Sequence, residues 1–490
     1  MARFDNQAIR IAGRVFHALL PSFIADLVYP DHKPTYRLHP TSYLDGLRGI
    51  ASFIVFFCHY TEENHKYMIP SYGLNPKGQV SSWLQLPFLR IVFSGRPMVH
   101  IFFVISGFVL SHKPLKLLHA KNLEKSAGAV ASSAFRRPFR LYGPCIVSTF
   151  IIAILIQMGY IYKPVETFGE QLWNWKDAVF HSITWPWAWD LDLRPGYDVH
   201  LWTIPIEMAH SMLLFLVLIT LSMVRLRLRQ FINFALMIYC LCCGKWAGFE
   251  FLGGMFLAEI RLLQASGDGE WWVELQKRHR ILSILRSVFW SGVIMVFVFI
   301  GGWPNFDADK TPGIRYLNAH TPYPFATMDP LAPQKYWFAL SAIFAVYACG
   351  ELAWIRRFLD SSLGQYCGRL SYAIYIVHGP VLEMFQKMTM GQPFTPQKGN
   401  PGEKEFVPAK LGKGIKGMIG VEGPTQRFAC WAAGLLILFP IVVWFSDIFW
   451  RLVDAPMVEL ARKVEKLCVD EEIEPNKRRE HEQRYQMVGV

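Results

Sequence analysis

The sequence predicts an all-α integral membrane protein of about ten transmembrane helices in one bundle, and three observations carry that reading. First, the 490 residues are 52% hydrophobic and only 18% charged, with a mean hydropathy of +0.22, whereas soluble domains average about 25% charged. Second, the apolar residues gather in runs near the roughly 20 residues that a helix needs to cross a bilayer. Third, the basic residues behind the net charge of +12 lie between those runs and alternate with an acidic stretch. Basic residues of a membrane protein crowd its cytoplasmic loops and face anionic lipid. No recognition motif accompanies the charge, so nucleic acid is not expected as a partner.

The elements follow in chain order. Residues 1–42 form a cytoplasmic N-terminal segment. Within it, 11–30 is apolar but broken by polar residues and a proline, the pattern of a helix lying in the membrane interface and not of a cleavable signal peptide. A membrane domain over 43–457 then holds candidate spans near 44–63, 97–112, 138–161, 200–224, 230–244, 246–262, 286–303, 336–353, 365–386 and 426–453. The second is short, and only Lys245-Trp246 separates the fifth from the sixth. No internal repeat is evident. A charged cytoplasmic tail covers 458–490, and 470–490 has the composition of a disordered segment.

The loops set the orientation. Segment 113–140 carries Lys113, Lys116, Lys121, Lys125, Arg136, Arg137 and Arg140 against one acid, Glu124. Arg225, Arg227 and Arg229 lie in the next loop on the same side, followed by Lys277, Arg278, Arg280 and Arg286, then Arg356, Arg357 and Arg369. Loop 162–199 is acidic instead. The alternation places both termini in the cytoplasm, and an endomembrane such as the endoplasmic reticulum is the expected location. Residues 387–425 disagree, carrying six lysines on the expected lumenal side. Long loops obey the charge rule weakly, and the Gly, Pro and Lys content here reads as a flexible segment.

Ionisable side chains inside spans are costly, so each is a functional candidate. In the first span Arg48 and His59 are eleven residues apart. On a helix this returns them to one face within about 20°, roughly 16 Å apart along the axis. A cation near the cytoplasmic end with an imidazole deeper on the same stripe suits binding plus proton transfer; the alternative is a histidine that merely ends the span. Glu207 in the fourth span and His378 in the ninth fall at about the same depth as His59 when counted from the lumenal ends. Three titratable groups from distant segments thus share a level, although depth does not say which way each faces.

Near the cytoplasmic surface, Asp45, Arg48 and the Arg136-Arg137-Pro-Phe-Arg140 stretch form a second group. Guanidinium groups bind phosphates bidentately, so a CoA-binding mouth is one reading and charge anchoring of the helix the other. Ser106-Gly107 puts a small polar pair in the second span, for close helix packing or for lining a site. No metal is expected: Glu207-x-x-His210 lacks the second Glu-x-x-His of a di-iron bundle. Cys240-Leu-Cys242-Cys243 lies in an apolar helix with no second ligand pair, and the nine cysteines read as small buried hydrophobes.

Together these stretches resemble the acyltransferase type three family of membrane proteins, over about 43–457. Asp45-Gly-Leu-Arg48-Gly49 leading to His59 is similar to the family's opening. Phe102 to Phe108 resembles its Phe-Phe-x-x-Ser-Gly-Phe stretch, and Arg137 and Arg140 its Arg-x-x-Arg element. His200, Trp202 and Glu207 match its His-x-Trp-x-x-x-x-Glu, and Ser371, Tyr372, Tyr375 and His378 its Ser-Tyr-x-x-Tyr-x-x-His. Asp454-Ala-Pro456 looks like the closing acid-x-Pro. Two departures favour the eukaryotic, fungal-type branch: His100-Ile101 stand where an acid often precedes Phe-Phe, and Met208 where a second glutamate is common. Some members of that branch decorate secondary metabolites such as terpenoids.

The resemblance implies ten spans, acetyl-CoA as acyl donor and O-acetylation of a small-molecule or sugar hydroxyl. His59 is then the general base, with Glu207 or His378 orienting it. Arg48, Arg137 and Arg140, with Asp45 and Ser106 beside them, hold the donor. Direct transfer and an acyl-histidine intermediate are both open. The competing class is a proton-coupled transporter using the same groups as a relay, but the repeated halves and paired broken helices common in transporters are missing. The oligomeric state is not set by the sequence.

Overall fold

The computed structural model describes residues 19–28, 38–75, 80–161, 167–266, 280–391 and 414–469. Among them the chain is helical, with no strand. The first eight helices are α1 (Ser22–Val28), α2 (Ser42–Asn64), α3 (Arg96–His119), α4 (Leu123–Gln157), α5 (Phe168–Ala178), α6 (Thr203–Thr220), α7 (Leu226–Cys242) and α8 (Trp246–Ala265). The remainder are α9 (Arg280–Gly301), α10 (Ile314–Ala319), α11 (Ala332–Glu351), α12 (Ala353–Leu359), α13 (Ser362–Met390), α14 (Ile415–Ile419), α15 (Pro424–Phe449) and α16 (Ala455–Cys468).

A helix stands at each stretch where a span is expected. Five described helical segments are long and apolar enough to cross a membrane, and six if α11 and α12, which meet at a 90° bend, count as one. In the most apolar window of α9 only 6% of residues are buried, and Ile284, Val288, Phe289 and Val296 point outward. An apolar surface of that kind belongs against lipid tails. The protein is a multi-pass membrane protein.

Two expectations change. Segment 113–140 is not a loop: α3 runs to His119 and α4 starts at Leu123, leaving a turn of three residues. Hydropathy marks where the apolar run stops, but the backbone hydrogen bonds continue beyond it. Nor are the cysteines uniformly buried, because Cys242, Cys243 and Cys468 are exposed. Cys242 is the last residue of α7 and Cys243 follows it. The flexible-segment expectation for 387–425 falls mostly, and the disorder expectation for 470–490 wholly, outside the described residues.

Glycines set the closest helix contacts. A Cβ at Gly49 would lie 2.3 Å from the Cys367 carbonyl carbon, and one at Gly368 would lie 2.5 Å from the Asp45 carbonyl oxygen, so α2 and α13 touch backbone to backbone. Gly107 and Gly254 do the same for α3 and α8. Small residues permit such approach in membranes, where packing replaces the hydrophobic drive. Two apolar cores result. Phe103, Phe108, Trp246, Phe251 and Met255 lie in one, and Phe56, Tyr60, Leu382 and Leu438 in the other. Helices α2 and α6 contribute side chains to both, placing His59 and the entry to α6 at the seam.

Candidate active site

Three imidazoles meet at that seam. The ring centroids of His59 and His200 are 4.1 Å apart, those of His200 and His378 4.7 Å, and those of His59 and His378 5.3 Å. One ring nitrogen from each lies within 4.8 Å of the other two. His59 rides on α2 and His378 on α13. His200 comes from a 3-10 turn, Val199–Trp202, that leads into α6.

Each ring is fixed differently. His200 donates from Nδ1 to Asp198 Oδ1 at 2.8 Å, and the same carboxylate accepts the His200 backbone N–H at 3.0 Å. His378 donates from Nδ1 to the Ile374 carbonyl at 2.9 Å, and its buried Nε2 has no hydrogen-bond partner among the described residues. His59 has no ring hydrogen bond among them. Tyr375, one turn before His378, bonds the His200 carbonyl and lies 2.7 Å from Thr203 Oγ1, tying α13 to the turn. Gly379 completes the fit, since a Cβ there would sit 2.5 Å from His200 Nδ1. A recess opens beside the cluster, with Glu63, Asp198, His200 and Glu383 on its wall.

Glu207 is not in this cluster. Its Oε1 accepts Arg137 Nη2 at 2.6 Å and Ser106 Oγ at 2.9 Å, while Arg137 Nε donates to Ser211 Oγ at 3.0 Å. Ser106 meets a polar partner while its neighbour Gly107 provides the close packing. Arg48 bonds Asp45 at 3.3 Å at the surface. Arg140 is exposed within electrostatic reach of Arg48, Arg136 and Arg137, with Asp454 the acid beside it. Residues of five of the quoted motifs thus gather around one arginine group, and none of the three clustered histidines is among its partners. Nor do Glu207 and His210 share a ligand position: His210 Nε2 faces Asp190 at 3.7 Å.

Asp198 is the site residue that sequence reasoning passed over, and His200 was quoted for its motif without a role. The signal was present as Asp198-Val-His200, a carboxylate two residues before a histidine. His100, standing where an acid was expected, bonds a buried glutamate from α8, Glu250. The acid missing from one helix is supplied by another.

An acyltransferase domain family model matches residues 41–451. The chain is 27% identical to the O-acetyltransferase PaAT-1 of Phomopsis amygdali over 90% of its own length and 87% of that protein. It is 25% identical to the acyltransferase clz18 of Cochliobolus lunatus and 26% to the acyltransferase R4 of a Phoma species, each over 71% of this chain and 84% of the relative. No solved structure matches significantly. The transporter alternative gives way to an enzyme: the chain belongs to the type 3 acyltransferase family of multi-pass membrane acyltransferases.

Proposed function

We propose that this enzyme transfers acetyl from acetyl-CoA to a hydroxyl of a small molecule, such as a terpenoid or other secondary metabolite, or of a sugar. The observation that carries the reading is the meeting of His59, His200 and His378, with Asp198 behind His200. Similarity to an O-acetyltransferase over 90% of the chain supports acetyl as the group moved. About ten spans with both termini cytoplasmic, in an endomembrane such as the endoplasmic reticulum, complete the proposal.

In this reading the acceptor hydroxyl approaches through the recess and gives its proton to His59. The oxygen attacks the thioester carbonyl, the C–S bond breaks, and the CoA thiolate leaves with the proton that the His59 imidazolium gives up. His378 and the Asp198-bound His200 fix the His59 ring and stabilise the imidazolium that forms. Arg48, Arg137 and Arg140 hold the CoA phosphates as a charge-assisted cradle. Glu207 keeps Arg137 in place rather than orienting His59, so its role moves from base partner to donor site.

The test is release of free CoA from acetyl-CoA by the purified protein in detergent, without acceptor. Slow hydrolysis that longer acyl chains do not support is the expected result. No turnover of any acyl-CoA, with or without metabolite extract, would contradict the proposal. Comparing metabolites of a gene deletion with its parent, for a product lighter by one acetyl group, identifies the acceptor.

A further inference from the structure

We propose that His59, His200 and His378 form a binding site for a divalent transition metal, zinc above all, and that the bound ion inhibits the enzyme by occupying the base. The inhibitory half rests on the reading of His59 as the base; the binding half rests on geometry alone. The absence of metal expected from the sequence was argued from Glu207-x-x-His210, whose two side chains face different partners. The candidate ligands come instead from three segments that no spacing motif connects.

Three features make the cluster a ligand set. One ring nitrogen from each histidine lies within 4.8 Å of the other two. At that outer limit, an ion at the centre of the triangle would be about 2.8 Å from each, so each ring must close by about 0.7 Å or less to reach the roughly 2.0–2.1 Å of a zinc–imidazole bond. Next, the protons are directed outward: His200 commits Nδ1–H to Asp198 and His378 commits Nδ1–H to the Ile374 carbonyl. Their Nε2 lone pairs are left for a ligand. A histidine ligand held through its other nitrogen by a carboxylate or a carbonyl is the usual arrangement behind a metal. Finally, His378 Nε2 is buried with no hydrogen-bond partner among the described residues. A buried polar atom without a partner carries a free-energy penalty that a ligand relieves.

The donor chemistry sets the selectivity. Three neutral imidazoles suit zinc, cobalt, nickel or copper and not magnesium or calcium, which require oxygen. A water entering by the recess beside His200 would complete the set as fourth ligand. With His59 coordinated, its lone pair cannot take the acceptor proton, so metal and acceptor deprotonation exclude each other.

The test uses the full-length protein in detergent, stripped with EDTA and titrated with Co²⁺, whose visible absorption reports low-symmetry nitrogen coordination. One equivalent of Co²⁺ should produce the band, and Zn²⁺ should displace it. The band should be lost in His378→Gln and His200→Gln, and in Asp198→Asn affinity should fall by about 10- to 100-fold. Thermal unfolding checks that each variant is folded, and the Asp198 variant keeps the test informative should a histidine variant misfold. Zn²⁺ should inhibit acetyl transfer in parallel with displacement, and EDTA should restore it. No cobalt band, or a band unchanged in all three variants, overturns the site while leaving His59 as base untouched. A band with undiminished transfer overturns the inhibitory half.

Discussion

Replacing Gly379 with alanine is expected to damage catalysis while leaving the fold standing. Gly379 lies inside α13, where alanine is favoured over glycine by up to about 1 kcal/mol, so the backbone gains from the change. The added Cβ would lie 2.5 Å from His200 Nδ1, 2.9 Å from its Cε1 and 3.2 Å from Asp198 Oδ1. Ordinary contact begins near 3.4 Å, so the imidazole must retreat by about 0.9 Å. It cannot carry its backbone along easily, because Tyr375 holds the His200 carbonyl. Misplacing a catalytic group by about 1 Å costs on the order of 10²-fold. Acetyl transfer by the purified variant should thus fall by about two orders of magnitude in kcat, with a melting temperature near the parent's. Activity within a few-fold of the parent, in a variant of unchanged stability, would refute the positioning of His59 by the Asp198–His200 pair.

Three further outcomes are expected. Arg137→Ala and Arg140→Ala should each raise the concentration of acetyl-CoA needed for half-maximal rate by about ten- to a hundredfold, the loss of one charge-assisted phosphate contact; unchanged donor dependence would assign both residues to anchoring. Asp447→Ala should destabilise the protein by about 3–5 kcal/mol, read as a lowered melting temperature, because this fully buried carboxylate accepts from Ser22 N, Ser22 Oγ, Tyr366 Oη and Arg451 Nε. A glycosylation acceptor placed beside Asp190 should be modified in the endoplasmic reticulum and one beside Lys121 should stay bare; modification at Lys121 would contradict the proposed orientation.

The helices were legible in the sequence because length and apolarity fix position along the chain. Residues 44–63 and 246–262 lie within a turn of α2 and α8. Charged helix beyond the apolar run was not legible, as the first half of α4 illustrates. The site was half legible for a related reason. Counting residues gives depth, and depth brought His59 and His378 to one level. The count failed for Glu207, which it put at that level: this residue lies seven positions beyond His200 along the chain and pairs with Arg137 instead. His200 escaped because a 3-10 turn precedes α6, so its phase does not follow the 100° step that relates Glu207 to its neighbours. The glycine at 379, which no sequence motif singled out, has its reason in the His200 ring lying against it.

The central claim is that His59 takes a proton, and substitution by glutamine against alanine tests it most directly. Glutamine can keep a hydrogen bond at this position but cannot act as a base, and a general base contributes typically 10²–10⁴ in rate. Both His59→Gln and His59→Ala are predicted to abolish measurable acetyl transfer while expression and thermal stability stay close to the parent's. Retention of more than about a tenth of the activity by His59→Gln would contradict the account.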